Sequence, residues 1–256
     1  MGLSKPFAFM GASSAAGELV NDGLVLYLDA GDTASYPGTG TTWTDLSSTA
    51  QNFSLNGSPT PVHTPGDQGY FTMDGSSQYF ANAVSNAYIT PASSSVEWTI
   101  ESIAESDTLS GYRGLATVWH SGTNQVWWHG LSGATSGGIH WALREDPATG
   151  GASDFYNSSA IYSLNTLTHM IWKVNYTAKT LNCWLNGTQV ITDDAITVDS
   201  MDTAGTDSYL QIGKQNSGNY WSGKIAMVRI YNEYGFTTEN AVQNYDYWKN
   251  TRGYAI

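Results

Sequence analysis

Short apolar runs separated by turn residues make up most of this chain. The run "GLVLYLDAG" at residues 23–31 is bounded by glycine and predicts a buried strand. Further runs follow at fairly regular intervals from Val96 onward, including "VEWTIESIA", "QVWWHG" and "WSGKIAMVRIYN". Residues 32–61 are instead rich in Pro, Gly, Ser and Thr, and predict a long loop with at most a brief strand at residues 53–55. The pattern is typical of an antiparallel β-sandwich.

Two dipeptides predict tight turns between strands. Asp74-Gly75 and Asn186-Gly187 each lie between apolar runs, and glycine readily takes the positive φ that hairpin turns need. We therefore expect a β-hairpin at each position.

A helical pattern is confined to residues 236–254 near the end of the chain. Thr237 or Thr238 is expected to cap the N-terminus, and Gly253 to stop the helix. This predicts a single short helix packed on an edge of the sandwich.

Charge limits the classes of partner. The 256 residues contain 22 Asp and Glu against 10 Lys and Arg, giving a formal net charge of -12. Nucleic acid and anionic membrane surfaces would both be repelled, so neither is expected as a partner. The length fits one sandwich domain.

The cysteine count and the leader sequence together predict the cellular compartment in which the protein folds. Cys183 is the single cysteine, so no intrachain disulfide can form, which suits folding in a reducing cytoplasm. The leader at residues 1–20 follows Lys5-Pro6 with only a short apolar run, a poor match to a signal peptide. We expect a cytoplasmically made protein without membrane insertion.

Three stretches, taken together, resemble the laminin-G-like, concanavalin A-like jelly-roll family. They are "GLVLYLDAGDTASYPGTGTTWTDLSS", "FTMDGSSQYF", and "LNCWLNGTQV" with the following "LQIGKQNSGNYWSGKIAMVRIYN". The resemblance runs from about Gly23 to Tyr245. It implies an all-β fold with two antiparallel sheets, one short C-terminal helix, and an extended N-terminal arm outside the sandwich.

Two residues within these stretches have a structural interpretation. Asp45, in "WTDLSS", is expected to accept backbone N–H groups and hold a turn. Gly223 is expected to let its strand bend or pass close to a neighbour.

Calcium is implied by the resemblance, because some laminin-G-like domains bind it at the sandwich rim. Asp29, Asp32 and Asp74 lie at predicted strand ends, where hard oxygen ligands could converge. The alternative is that these carboxylates cap turns.

Zinc is a second candidate, through His120, His129 and His140 on three successive predicted strands. All three would have to face the same side of the sheet, which alternation alone does not establish. The alternative is that they are scattered among packed tryptophans.

Glycoside hydrolysis needs two carboxyl groups about 5 to 9 Å apart across a cleft. Glu97 and Glu101 share one strand face but are separated by about 13 Å along it. We therefore interpret them as a solvated strand face and expect no enzymatic activity.

Carbohydrate binding needs exposed aromatic faces beside hydrogen-bonding groups. Predicted loops at "SGTNQVWWHGLSG", "REDPATGGASDFYNSS" and "KQNSGNYW" supply both. Trp128, Tyr156 and Tyr220 are the predicted platforms, with core packing as the alternative for each.

The leader, the acidic sandwich and the lack of a catalytic motif together resemble a bacteriophage virion protein. The resemblance implies a head decoration or a tail-fibre component, with residues 1–20 as an anchoring arm and residues 21–256 as the displayed domain. Phe7, Phe9 and Met10 would be the anchoring residues. Other virion proteins, a second copy of the chain in a homo-oligomer, and cell-surface glycans are the expected partners. The alternatives are a free lectin-like module and, less favoured, a glycosidase.

Overall fold

The computed structural model describes residues 17–82, 97–120, 124–144, 153–199, 209–215, 218–232 and 235–256. Within these residues two large antiparallel sheets pack face to face, and a small separate hairpin accompanies them. The predicted all-β sandwich with one short C-terminal helix is confirmed.

The first sheet is built around its longest strand, β18 (Ser222–Asn232), which has a neighbouring strand on each side. Its spatial order is β14 (Thr188–Ala195), β13 (Thr180–Leu185), β12 (Thr168–Asn175), β7 (Glu97–Ser106), β18 (Ser222–Asn232), β5 (Tyr70–Asp74) and β4 (Val62–Thr64). The strand β1 (Leu24–Asp29) also pairs with β18, as expected for the first apolar run.

The second sheet includes strands from regions that the sequence pattern assigned to loops. Its order is β11 (Ser153–Ala160), β10 (Gly138–Arg144), β9 (Asn124–Leu131), β8 (Arg113–His120), β15 (Tyr209–Ile212), β6 (Tyr79–Ala81), β3 (Phe53–Asn56) and β2 (Thr42–Trp43). The hairpin consists of β16 (Lys214–Gln215) and β17 (Asn219–Tyr220). Predicting a loop at β11 was wrong.

Tryptophan packing fills the space between the two sheets. Trp98 of the first sheet lies with its ring centroid 4.5 Å from that of Trp127, and Trp141 stacks on Trp172 at 5.2 Å. Cys183 is buried in the same core, and burial raises the pKa of its thiol well above the usual value. This cysteine is therefore a packing residue.

The two predicted hairpins have different outcomes. Asn186 and Gly187 both take positive φ and join the paired strands β13 and β14, so this hairpin is confirmed. Gly75 also has positive φ, but β5 belongs to the first sheet and β6 to the second. The Gly75 N–H donates to the Trp221 carbonyl (3.0 Å), which holds the turn against β18. The Asp74-Gly75 turn is thus a crossover between sheets, and predicting a hairpin was wrong.

The helix α1 (Thr238–Asp246) begins at the predicted cap. Thr237 accepts a hydrogen bond from the Asn240 N–H at 3.3 Å, and a π-helical turn at Tyr247–Thr251 follows the helix. The helix covers the outer face of the first sheet rather than an edge of the sandwich, because Ala241 and Trp248 pack against that face. Nowhere in the described ranges does a helix have the length and apolar character to cross a bilayer.

Asp45 holds the turn before β3, as the sequence predicts. Its carboxylate accepts the N–H groups of Tyr27 (2.8 Å), Ser47 (2.9 Å) and Gln51 (2.8 Å). These bonds fix the long segment after β1 to the sandwich.

A buried carboxylate joins α1 to the first sheet. Glu101 is fully buried and accepts hydrogen bonds from five side chains: His169, Arg229, Tyr231, Asn244 and Trp248. Burial acts to raise the pKa of Glu101, but the Arg229 charge and the hydrogen bonds lower it to about 2. Interpreting Glu101 as part of a solvated face was wrong, because the C-terminal helix covers it.

The same network holds the first described residues. The Val20 N–H donates to Asn244 Oδ1 (2.9 Å), and Arg229 Nη2 donates to the Val20 carbonyl (2.6 Å). Val20 is itself buried. The predicted anchor residues Phe7, Phe9 and Met10 lie outside the described residues.

Candidate functional site

His129 and His140 face opposite sides of the second sheet. His129 lies directly opposite Trp141 across β9 and β10, whereas His140 lies opposite Gly130. Directly paired residues share a face, and consecutive residues alternate. His129 and His140 therefore cannot share a zinc ion, and the alternative of histidines scattered among tryptophans holds for this pair. The side chain of His120 lies outside the described side chains.

His129 is a packing residue of the inner face. Its ring lies 6.1 Å from Trp127 and 6.2 Å from Trp141, centroid to centroid. Neither ring nitrogen has a hydrogen-bond partner in the described part of the chain. Burial lowers the pKa of His129 to about 3, so it is neutral at physiological pH.

One row of side chains crosses the outer face of the second sheet from edge to edge. Successive register pairs place it at Thr42, Ser54, Ala81, Gln211, Thr117, Trp128, Ala142 and Phe155. Most of these side chains are small or polar. The two aromatic members lie toward the β11 end.

Four aromatic rings form a group at that end, which we call the outer-face cluster: Tyr112, Trp128, His140 and Phe155. The Trp128 and His140 ring centroids are 3.8 Å apart, and Tyr112 lies 5.1 Å from Trp128. Phe155 is 6.5 Å from His140 and lies beneath the Arg144 guanidinium at 5.3 Å. Phe155 is 55% exposed and Tyr112 is 36% exposed, so two of the four rings reach solvent.

Buried hydrogen-bonding atoms without partners surround the cluster. Trp128 Nε1, Thr117 Oγ1, His140 Nε2 and Arg144 Nε have no hydrogen-bond partner within the ranges that the structure covers. Such atoms are rare in native proteins, because each unmade bond costs about 1–3 kcal/mol. Core tryptophans of the described residues, including Trp98, Trp127 and Trp141, also have an unpaired Nε1, so such atoms are not confined to this face.

The protonation of His140 determines what its free nitrogen can do. Burial lowers the pKa of His140 to about 4, although a hydrogen bond to Asn157 acts against this shift. His140 Nδ1 lies 2.7 Å from Asn157 Oδ1, an acceptor, so Nδ1 carries the proton of the neutral ring. Nε2 is left as a free acceptor.

The predicted platforms Trp128 and Tyr156 need correction. Trp128 is only 3% exposed, since Tyr112 and His140 pack on it. Tyr156 lies opposite Trp141 and points to the core, where it meets Trp172 edge-on at 6.0 Å. Because residues alternate along β11, Phe155 is the one that faces outward.

Tyr220 is partly exposed, as predicted, but belongs to a different part of the sheet. Its ring lies 6.3 Å from Tyr79, and Lys214 Nζ lies 4.2 Å above Tyr79 and 5.4 Å from Tyr220. Tyr79 is on β6, three strands away from β9. The structure therefore does not join Tyr220 to the outer-face cluster.

Asp29, the first predicted calcium ligand, has a structural role. It is buried and forms an ion pair with Arg252, whose Nη1 lies 2.7 Å from Oδ2. It also accepts the N–H of Gly31 at 2.8 Å. Burial raises the pKa of Asp29 despite the neighbouring Arg252 charge.

The other two predicted calcium ligands cap turns. Asp32 accepts the Ala34 N–H at 2.8 Å, and Asp74 accepts the N–H groups of Ser76 (2.8 Å) and Ser77 (2.9 Å). No group of three His, Cys, Asp or Glu side chains that could hold a metal ion occurs in the described segments. The three aspartates do not come together as the predicted site requires.

The two glutamates considered for glycoside hydrolysis also have separate roles. Glu97 Oε1 forms an ion pair with Lys173 at 3.0 Å and accepts from Asn175. Glu101 lies beneath α1, where it cannot reach a substrate. The pair is not placed for two-carboxylate catalysis.

The family profile described as Laminin_G_3, concanavalin A-like lectin/glucanases superfamily, matches residues 74–237. This is more than half of the chain. The chain belongs to the concanavalin A-like lectin/glucanases superfamily. The match is narrower than the resemblance from about Gly23 to Tyr245, although β1 is an integral part of the first sheet. No curated protein sequence matches the chain.

Solved structures share the superfamily fold at low sequence identity. The binding domain of paraclostridial mosquitocidal protein 1 is 15% identical, with a TM-score of 0.64 over 89% of this chain and 53% of that domain. A structure of botulinum neurotoxin type C is 12% identical, with a TM-score of 0.61 over 88% of this chain and 51% of its own. That toxin depends on interaction with two ganglioside molecules to enter cells.

An enzyme is among the similar structures. Trypanosoma rangeli sialidase is 9% identical, with a TM-score of 0.58 over 90% of this chain and 33% of the sialidase. The chain thus spans about half the length of the toxin structures and a third of the sialidase. At these identities the likeness shows the fold alone.

Several residues in or beside the outer-face cluster were missed by the sequence pattern. Phe155 adjoins the predicted Tyr156, and only the β11 register distinguishes the outward residue from the inward one. Thr117 and Arg144 lie at strand positions without a recognisable motif.

Proposed function

We propose that this chain is a non-catalytic glycan-binding module, which acts without a cofactor through the outer face of its second sheet. The observation that carries the proposal is the pair of exposed rings, Phe155 and Tyr112, beside the Arg144 guanidinium, which lies 5.3 Å from the Phe155 ring centroid. The rings offer apolar faces, and the guanidinium offers N–H donors.

Sugars fit this combination better than other small ligands. A sugar hydroxyl can accept hydrogen bonds from the Arg144 guanidinium, which lies beside Phe155. The C–H face of a pyranose ring would pack on Phe155, as apolar groups pack on aromatic faces. Superfamily membership and the ganglioside dependence of botulinum neurotoxin type C support the same ligand class.

The experiment is glycan-array binding of the full chain, followed by titration of the best ligand against three variants. Arg144→Gln removes the charged donor beside Phe155. It should weaken binding about tenfold, because hydrogen bonds to charged groups contribute about 1.5–3 kcal/mol. Phe155→Ala should abolish binding without unfolding the protein, because this ring is largely exposed.

Leu164→Ala is the matched control, as another exposed apolar side chain away from the cluster. Unchanged affinity in both Arg144→Gln and Phe155→Ala would refute the proposal. Reducing-sugar release by the wild-type chain would instead favour the glycosidase alternative.

We also propose that residues 1–20 attach this module to a bacteriophage particle as a homo-oligomeric head-decoration or tail-fibre component. The proposal is supported by the way in which Arg229 and Asn244 hold Val20 on the sandwich, so that force on the arm reaches the core of the domain. A version beginning at Gly17 keeps these contacts and should fold normally but fail to join particles. Incorporation of this version at normal copy number would contradict the anchoring role.

A further inference from the structure

A cleft of about 320 Å³ lies on the opposite side of the molecule, between the first sheet and the start of α1. Its floor is formed by Lys173, Asn182, Trp184 and Gln189 on β12, β13 and β14. Residues 236–238 form one wall. The volume is at the lower end of the range for small-molecule sites, about 300–1,000 Å³, and suits a single ring rather than a chain.

A β-bulge forms the other wall. Leu181 pairs with Asp194 and Cys183 with Ile191, so Thr192 and Asp193 together lie opposite Asn182. Asp193 takes a φ of +49°, which few residues other than glycine adopt. Bulges and left-handed residues of this kind redirect side chains and concentrate at functional sites.

The polar groups around the bulge form one connected set. Asn182 Oδ1 accepts from the Asp193 N–H (3.0 Å) and from Gln189 Nε2 (2.8 Å). Asn182 Nδ2 in turn donates to Asp193 Oδ1 at 3.1 Å. The side chains are thereby held in place before any ligand arrives, which lowers the entropic cost of binding.

The charge of the cleft is negative. Lys173 Nζ is already engaged by Glu97 Oε1 (3.0 Å) and by the Phe236 carbonyl (2.8 Å). The donor to the Asp193 carboxylate among the described residues is the Asn182 amide, which carries no charge. An acidic ligand would therefore be repelled, whereas hydroxyl groups could donate to the carboxylate.

Trp184 supplies a donor and an aromatic surface. It lines the cleft, is 3% exposed, and packs with Phe236 at a ring-centroid distance of 6.4 Å. Its Nε1–H is buried and has no hydrogen-bond partner among the residues described. A buried indole N–H normally finds a partner, and among the described tryptophans with an unpaired Nε1 only Trp184 lines the cleft.

We propose that this cleft is a second saccharide site, which binds one neutral pyranose residue. In this arrangement a sugar hydroxyl accepts from Trp184 Nε1 and other hydroxyls donate to Asp193 and Gln189. The site is separate from the outer-face cluster, because the two lie on opposite outer faces of the sandwich, and the inference does not depend on the function proposed for that cluster.

The test is isothermal titration of the full chain with methyl glucoside, methyl galactoside, methyl mannoside and N-acetylneuraminic acid. At least one neutral hexoside should bind, and the acidic sugar should not compete with it. Asp193→Asn keeps a residue that tolerates positive φ but removes the charge, and Trp184→Phe removes the N–H but keeps an aromatic ring. Each should weaken hexoside binding at least tenfold.

Asp194→Asn is the matched control, since it removes a neighbouring exposed carboxylate that does not line the cleft. Phe155→Ala separates the two sites, because it should leave hexoside binding unchanged. Failure of all three hexosides to bind would overturn the inference, as would binding that Asp193→Asn and Trp184→Phe leave intact. Hexoside binding lost only in Phe155→Ala would also overturn it, while supporting the outer-face cluster. Circular dichroism melting of each variant shows whether a loss of binding reflects unfolding.

Discussion

Asp154 and Thr197 tie the edges of the two sheets together. The Asp154 carboxylate, on β11, accepts the N–H of Thr197 (2.7 Å), its hydroxyl (2.9 Å) and the N–H of Val198 (2.8 Å). Thr197 follows β14, the edge strand of the first sheet. The Asp154 side chain therefore links the two sheets along one side of the sandwich. On that side β11, which carries Phe155, is the edge strand of the second sheet.

Replacing Asp154 with Ala should loosen β11 without unfolding the domain. Two of the lost bonds are exposed and the third is partly buried, so we expect a cost of about 1 kcal/mol, confined to that edge. Amide hydrogen exchange should quicken in β11 and stay slow in β7 and β18. Asp194→Asn is the comparison, and equal protection of β11 in both variants would rule out the tie.

His129 should make the domain less stable in mild acid. Its pKa is about 3 in the folded protein against an ordinary value of 6.5, so the unfolded chain takes up a proton first as the pH falls. The stabilisation is complete above pH 6.5 and is lost progressively below it, by up to about 1.4 kcal/mol per pH unit. Denaturant unfolding at pH 7, 6 and 5 measures this slope.

His129→Phe should reduce by one the number of protons taken up on unfolding, and so lower the slope of the unfolding free energy with pH. The Phe ring should keep the packing against Trp127 and Trp141. His140, with a pKa of about 4, contributes in the same direction and should keep the remaining slope positive. A variant with the wild-type slope would show that His129 is not buried as a neutral ring.

Glu101→Gln should be among the most destabilising conservative changes in the chain. It leaves the fully buried Arg229 guanidinium without its counter-charge, which typically costs about 3–5 kcal/mol. Urea unfolding at neutral pH measures the loss. Glu97→Gln, in a partly exposed pair with Lys173, should cost no more than about 1 kcal/mol. Similar costs for the two variants would contradict the central role of Glu101.

Gly223 tests the predicted close approach of strands. A Cβ at this position would lie 2.2 Å from the Glu105 carbonyl oxygen, and φ is +123°. Gly223→Ala should therefore combine backbone strain with an overpacking cost of about 1–3 kcal/mol. Gly40→Ala is the control, because Gly40 also has positive φ but no atom within 4 Å of the added Cβ. Thermal unfolding should show a larger loss of stability for Gly223→Ala than for Gly40→Ala. Equal losses would mean that backbone strain, and not close approach of the strands, destabilises Gly223→Ala.

The sequence predicted elements that depend on local pattern. The apolar run of β1, the Asn186-Gly187 hairpin and the Thr237 cap are each encoded within a few neighbouring residues. Family motifs then predicted how the strands assemble into two sheets. The Asp45 turn belongs to the same class, because its bonds involve mostly nearby backbone.

Features that depend on distant partners were not predictable in this way. The turn at Gly75 is a crossover because β18, about 150 residues later, takes β5 into the first sheet. Glu101 is buried because the C-terminal helix covers it. Phe155 rather than Tyr156 faces outward because of a register that only the pairing of β10 with β11 determines.

The clamp of Arg229 and Asn244 on Val20 also fixes where the described chain begins on the domain. Val20 leaves the sandwich from the outer face of the first sheet, the side opposite Phe155 and Trp128. The described chain thus begins on the face that carries the cleft beside α1, and the outer-face cluster lies on the other face. A label attached near Val20 would be next to the cleft and across the sandwich from Phe155.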